Sequence, residues 1–171
     1  ASGVLLPVSS LPSKYGIGSF SKEAFEFVDQ LKRGGQKYWQ ILPLGPTGEG
    51  DSPYQSFSTF AGNPYFIDLE TLIEEGLLTR EECDSVDFTG HPAYVEYEKI
   101  YCGRFPVLKK AFQRFVPDQA FYDFVEENKF WLEDYGLYMA IKNSLNGISW
   151  SEWEDSLKRR MPEALEQKRQ E

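Results

Sequence analysis

Between residues 50 and 65 the chain reads GDSPYQSFSTFAGNPY, a stretch with no helical period and too much Gly, Pro and Ser for a strand. Its rings are Tyr54, Phe57, Phe60 and Tyr65, with Phe66 directly after. Among them stand the neutral hydrogen-bonding groups of Ser52, Gln55, Ser56, Ser58 and Asn63. Long structured loops usually carry function, whereas simple connections are short and polar. Flat apolar faces interleaved with uncharged donors and acceptors suit a sugar, which offers C–H faces inside a rim of hydroxyls. Rings that plug the end of a core would give the same composition, and the residues alone leave both readings open. Pro53 stiffens the backbone ahead of Tyr54, so a ring shown from this turn loses little entropy on binding.

Other chemistries find less support. Glycosidic bond cleavage uses two carboxyl groups facing across the bond, ~5 Å or more than ~6.5 Å apart according to stereochemistry. Glu49 and Asp51 are the carboxylates of this loop. Two groups on one segment do not easily flank a sugar from opposite sides, and Asp51 fits better as a ligand of hydroxyls or of the loop's own backbone. The single histidine, His91, precedes Pro92 in a polar turn, TGHPAY, with no nucleophile motif nearby. The GIG at residues 16–18 lacks the remaining glycines and the lysine of a phosphate loop. No residues stand at metal-ligand spacing, so neither a metal nor a cofactor is expected. Cys83 and Cys102 fit neither a zinc pattern nor a disulfide framework; a single bridge between them stays open, with two buried or idle thiols the better expectation. Phe112, Phe115, Phe121, Phe124 and Trp131 recur at helical core spacing and are expected inside. Trp150 and Trp153 could line a glucan groove, but packing between helices is the better expectation.

The elements that must position the loop come before it. Residues 3–8, GVLLPV, form a short apolar run bounded by turn residues and predict a buried strand, with Pro7 tolerable only near its end. Residues 9–18 are a loop whose turns are set by Pro12, Gly16 and Gly18. Ser21 caps a helix with Glu23 at its positive end; Ala24, Phe27, Val28 and Leu31 share a face that Phe25 widens, and Gly34 and Gly35 end it. Residues 38–44, YWQILPL, are again strand-like. Strand, helix and strand in about forty residues make a βαβ unit with parallel strands, apolar enough to be covered on both faces. Loops 9–18 and 45–65 both follow strands, so they should meet at the same end of the sheet.

From Asp68 the pattern becomes helical. Asp68 caps a short helix closed by Gly76, and Thr79 with Glu82 makes a capping box. Pro106 suits the first turn of a helix running to Phe115. Two further helices are expected around residues 121–125 and 131–139. Pro162 opens a last charged one, EALEQKRQE, which looks like a helix cut short.

Composition bounds the partners. The chain has 171 residues, 41% of them hydrophobic, with four Trp, ten Tyr and thirteen Phe. That is ample for one folded domain. A formal charge of −9 argues against nucleic acid and against an anionic membrane face. There is no leader segment and no apolar run long enough to span a bilayer, so a soluble, cytoplasmic setting is expected.

Two blocks of this sequence, SGVLLPVSSLPSKYGIGSF over residues 2–20 and KYWQILPLGPTGEGDSPYQSFSTFAGNPYFIDL over 37–69, resemble the start of the 4-α-glucanotransferases called amylomaltases or disproportionating enzymes. The likeness is tight over the first seventy residues and loose beyond. It implies an α/β fold, the first βα units of a (β/α)8 barrel in residues 1–69 followed by a mainly helical inserted subdomain in 70–171. A closed barrel needs eight strands and typically ~250 residues, so the barrel here is incomplete. It further implies transfer of α-1,4-glucan segments between maltooligosaccharides by a retaining double displacement. Tyr54 of SPYQ would be the ring that stacks on the donor sugar, with Ser52 and Asp51 as its substrate-binding neighbours. The family's catalytic carboxylates come from later strands and have no counterpart here, so this chain alone is expected to be inactive. Its partners would be an α-1,4-glucan and the remainder of its own barrel. The alternative is a non-catalytic carbohydrate-binding or helical interaction domain.

Overall fold

The computed structural model describes every residue except Glu49, Thr89, Pro92 and Glu171. Two compact units divide the chain, Ala1–Val116 and Pro117–Glu171. The change to a helical pattern at Asp68 therefore falls inside the first unit.

The first unit begins with the expected parallel pair. Strand β1 (Gly3–Leu5) and β2 (Tyr38–Gln40) pair with Gly3 opposite Tyr38 and Leu5 opposite Gln40. Helix α1 (Lys22–Arg33) crosses between them. Both strands are shorter than the apolar runs that encode them. The Leu6 N–H still reaches the Gln40 carbonyl at 3.0 Å, but Pro7 has no N–H to continue the ladder, and residues Val8–Ser10 turn into a 3-10 helix. Trp39 Nε1 then donates to the freed Leu6 carbonyl at 2.8 Å. The expected burial on both faces is not met: Leu5 and Tyr38 are exposed, and among the described residues neither strand has a second neighbour.

Helix α1 ends as its glycines require. Gly35 adopts φ +71°, and the Gln36 and Gly35 N–H groups donate to the Leu31 and Lys32 carbonyls, the paired bonds of a Schellman motif. At the other end Ser21 holds the cap position, but its hydroxyl donates to Glu23 at 2.6 Å and accepts nothing from the backbone. Ala24 is buried and Phe27 packs edge-on against Trp39 at 5.1 Å, whereas Phe25 and Val28 face outward.

Helix α2 (Leu69–Glu74) is capped by Asp68 and α3 (Arg80–Asp84) by the Thr79–Glu82 box. Helix α4 (Tyr97–Arg114) corrects one expectation, because Pro106 lies in its interior. A proline there costs ~3 kcal/mol. Ile100, Gly103, Arg104, Val107 and Ala111 bury one continuous stripe across the proline, and that packing holds the helix together on both sides of it. The same stripe leaves Phe112 outside at 72% exposure. Ile100, Val107 and Ala111 join Tyr15, Ile17, Tyr65, Leu69, Leu78, Cys83 and Phe88 in the main core. A smaller cluster of Val8, Leu11 and Ala24 lies under the strands, and Phe66 packs against both.

Glu82 ties α3 to α4. Both terminal nitrogens of the Arg114 guanidinium, Nη1 and Nη2, donate to its carboxylate, at 2.7 and 2.8 Å. The Arg114 bonds, then the Thr79 backbone N–H, hold its pKa down from 4.5 to about 2. A carboxylate whose folded pKa is depressed adds stability above its unfolded pKa and loses it as pH falls through the folded one. Acid titration of the unfolding free energy should therefore fall between 4.5 and about 2, and Glu82→Gln should flatten that part of the curve. An unchanged curve would show that Glu82 adds nothing to the acid sensitivity.

The second unit consists of α5 (Gln119–Ser144), α6 (Asp155–Lys158) and α7 (Pro162–Gln170). One helix of 26 residues replaces the two expected between 121 and 139. Its core is Ile141, Trp153 and Leu157. Phe121 and Phe124 are exposed and Trp131 is half-buried, contrary to their expected place inside. Among the described residues no helix is long and apolar enough to cross a membrane. Cys83 is buried and Cys102 exposed, and the two are not bonded to each other.

Candidate functional site

The two loops that follow the strands meet, as their position after parallel strands requires. Loop 9–18 folds tightly on itself, with the Gly18 N–H donating to the Ser9 carbonyl at 3.0 Å. A Cβ at Gly18 would lie 2.1 Å from the Val8 carbonyl oxygen and 2.7 Å from the Leu11 nitrogen. The chain then bonds to the end of the second loop. Ser19 Oγ donates to Asp68 at 3.1 Å, and the Phe20 N–H donates to the Phe66 carbonyl at 3.3 Å. Tyr15 adds a third link, its hydroxyl donating to Glu70 at 3.0 Å.

The second loop is closed at its base by the Asn63 N–H, which donates to the Leu44 carbonyl at 2.8 Å. Asn63 Oδ1 in turn accepts from the Tyr65 N–H. Within the loop, Ser58 Oγ accepts from the backbone of Phe60 and Ala61, while Ser56 Oγ sits where a Cβ on Gly45 would come within 2.3 Å. Several of the loop's neutral polar groups are thus committed to its own shape.

At the tip, the Gln55 N–H donates to the Ser52 carbonyl at 3.1 Å, so residues 52–55 form a turn with Pro53 at the corner that favours proline. The next corner is Tyr54, whose ring is 73% exposed. Phe57 and Phe60 are exposed too, whereas Tyr65 is buried and Phe66 half-buried, edge-on to Phe20. The rings divide between the two readings the sequence left open: those near the tip face outward, and the last two plug the core.

Asp51 is half-buried and lies in left-handed backbone with φ +51°. Thr47 Oγ1 donates to its carboxylate at 3.4 Å. Burial pushes its pKa up, partly offset by the Thr47 bond. It lines a cavity of about 90 Å3 into which both loops contribute, Ser9 and Ile17 from the first and Thr47 and Asn63 from the second. Tyr65 and Tyr97 close that cavity. Burial and then the Asp51 charge push the Tyr65 phenol up to about 12, and burial raises Tyr97 as well. Glu49 lies outside the described residues, as do Thr89 and Pro92 of the His91 turn. His91 itself is exposed and stacks on Tyr94 with centroids 4.7 Å apart.

One group gave no signal in the sequence. Arg104, on the buried stripe of α4, is 1% exposed and its Nη2 donates to the Ile67 carbonyl at the end of the second loop. Its Nε and Nη1 meet no acceptor among the described residues. Burial lowers its pKa to about 10 against the opposing pull of Asp68. A buried arginine amid apolar helix positions is visible only once the helix is in place.

In the second unit Trp153 is buried and Trp150 is exposed. Both line a cavity of about 340 Å3 whose wall includes Tyr138 and the Asp134–Arg160 ion pair, 2.7 Å long. The pair of tryptophans therefore differs in burial, Trp153 belonging to the core of this unit and Trp150 facing outward, while both reach the cavity wall.

Comparison with known proteins gives one consistent result. A family model described as 4-alpha-glucanotransferase matches residues 6–171. A 4-alpha-glucanotransferase of Clostridium butyricum is 50% identical over 161 residues, 93% of this chain and 33% of its own length. One from Streptococcus pneumoniae serotype 4 is 52% identical over 173 residues, 99% of this chain and 34% of its own length. Among solved structures, an amylomaltase from Streptococcus agalactiae in complex with acarbose is 43% identical, with a TM-score of 0.93 over 99% of this chain and 35% of that one. The chain thus spans about a third of the length of the relatives it matches. It belongs to the 4-alpha-glucanotransferase family.

Proposed function

We propose that this chain supplies the first βα units and a helical subdomain of a 4-α-glucanotransferase about three times its length. The complete protein transfers α-1,4-glucan segments between maltooligosaccharides by a retaining double displacement. The observation that carries the reading is the Tyr54 ring, held outward at the corner of a proline-stiffened turn in a chain of this family. On this reading residues 1–69 belong to the barrel and 70–171 to the subdomain. The exposed Leu5 and Tyr38 and the second edge of each strand, vacant among the described residues, support strands contributed by the remainder of the barrel.

In the transfer reaction this segment binds and orients. Tyr54 offers a flat face to one glucosyl ring, with Ser52 in the same turn and Asp51 directly before it. An aromatic face placed in advance gives affinity without ordering cost. Two carboxyl groups on opposite sides of the scissile bond are still needed. Asp51 is set into the loop, and the resemblance to the family implies that the nucleophile and the acid/base come from the remainder of the barrel.

Incubation with maltotriose tests the proposal. The complete protein should release glucose and longer maltooligosaccharides, and the 171-residue chain alone should release neither. Turnover by the short chain would overturn the assignment of the carboxylates. No transfer by the complete protein would overturn the function.

A further inference from the structure

Asp51 sits where a residue other than glycine is uncommon. Its φ of +51° directly follows Gly50 at +88°, and such backbone is best tolerated outside glycine by Asn and Asp, whose short polar side chains bond locally. The turn is held by the Asp51 N–H donating to the Gly48 carbonyl at 3.1 Å and by Thr47 Oγ1 donating to the carboxylate. That carboxylate borders the cavity of about 90 Å3 walled by Ser9, Asn63, Tyr65 and Tyr97. The rest of its wall is largely apolar, with Val8, Ile17, Leu42, Leu44 and Phe66 among the lining residues, and its volume lies well below the ~300 Å3 at which ligand pockets begin. The described residues that line it include no Lys, Arg or His, and the ionisable groups facing Asp51 there are the phenols of Tyr65 and Tyr97.

From Asp51 the chain runs through Ser52 and Pro53 to Tyr54, and the carbonyl that closes the tyrosine turn belongs to Ser52, its immediate neighbour. We propose that Asp51 is a positioning residue: its inward carboxyl group fixes the left-handed turn that aims the Tyr54 ring, and it does not itself touch the sugar. The inference rests on the reading of Tyr54 as the stacking ring. A pKa raised by burial beside no cation agrees with a carboxyl group turned into the loop.

Maltotriose transfer kinetics on the complete protein test it. Asp51→Ala should raise KM and lower kcat/KM by about tenfold, since a misaimed ring forfeits its alignment. Asp51→Asn, which tolerates left-handed backbone and keeps a local acceptor, should restore most of that loss. Asp51→Gly accepts the backbone angle without strain, so it should keep the melting temperature yet still raise KM. In a Tyr54→Ala background, Asp51→Ala should add no further loss, because residues acting through one another are non-additive. Losses that add, an Asn variant as damaged as the Ala variant, or a Gly variant with normal KM would each overturn the proposal while leaving Tyr54 in place. Full turnover by Tyr54→Ala would instead remove the reading of the ring, and this inference with it.

Discussion

Tyr54→Ala in the complete protein is expected to cut maltotriose transfer by about a hundredfold, ~2.7 kcal/mol of transition-state stabilisation. Its melting temperature should barely change. The two halves of this expectation come from different observations. A ring 73% exposed contributes little to the core, and surface substitutions away from special features stay within about 0.5 kcal/mol. The same ring on a turn closed by the Ser52 carbonyl and stiffened by Pro53 is placed before the sugar arrives, so its loss falls on binding and alignment. A variant with normal turnover and a large drop in melting temperature would make Tyr54 a structural ring.

Gly18→Ala should instead act through stability and unfold the site from beneath. The added Cβ would lie 2.1 Å from the Val8 carbonyl oxygen and 2.8 Å from that of Leu11. These are backbone atoms that cannot swing aside, so loop 9–18 must open. Val8 and Leu11 form the small core under the strands, and Ser19 fastens the loop to Asp68. A loss of about 3 kcal/mol is expected in urea unfolding, with transfer falling in parallel. Gly62→Ala is the control, since nothing lies within 4 Å of its added Cβ and its φ is ordinary. Equal stability of the two variants would mean that the tight closure of loop 9–18 is not required.

Local signals were legible in the sequence wherever one residue type answers one backbone need. Gly35 and Gly76 both take left-handed φ at helix ends, Asp68 caps α2, and Thr79 with Glu82 forms the reciprocal cap of α3. The parallel strand pair and the meeting of the two loops followed from strand, helix and strand in a short span. Signals that depend on which way a helix is rolled were not legible. Phe112 recurs at core spacing yet points out, because Ile100, Gly103, Val107 and Ala111 take the inner stripe. Pro106 reads locally as a helix start, and packing on both sides overrides it. Two helices are expected around residues 121–125 and 131–139, but the stretch between them contains neither Gly nor Pro, and one helix runs through. Glu and Lys are good helix formers, and Gly136 interrupts nothing. At the site, the loop's aromatic composition was plain, while the division into outward Tyr54, Phe57 and Phe60 and inward Tyr65 arises from the closures at Asn63 and Ser52.

The tip of the second loop is proposed to present Tyr54 to a glucosyl ring. The direct measurement is a crystal structure of the complete protein with bound maltotetraose. A glucosyl C–H face should pack on the Tyr54 ring at about 4 Å, with the Asp51 carboxylate still turned toward Tyr65 and Tyr97. A maltotetraose bound in the barrel with the Tyr54 ring out of contact, or covered by protein instead of sugar, would contradict it.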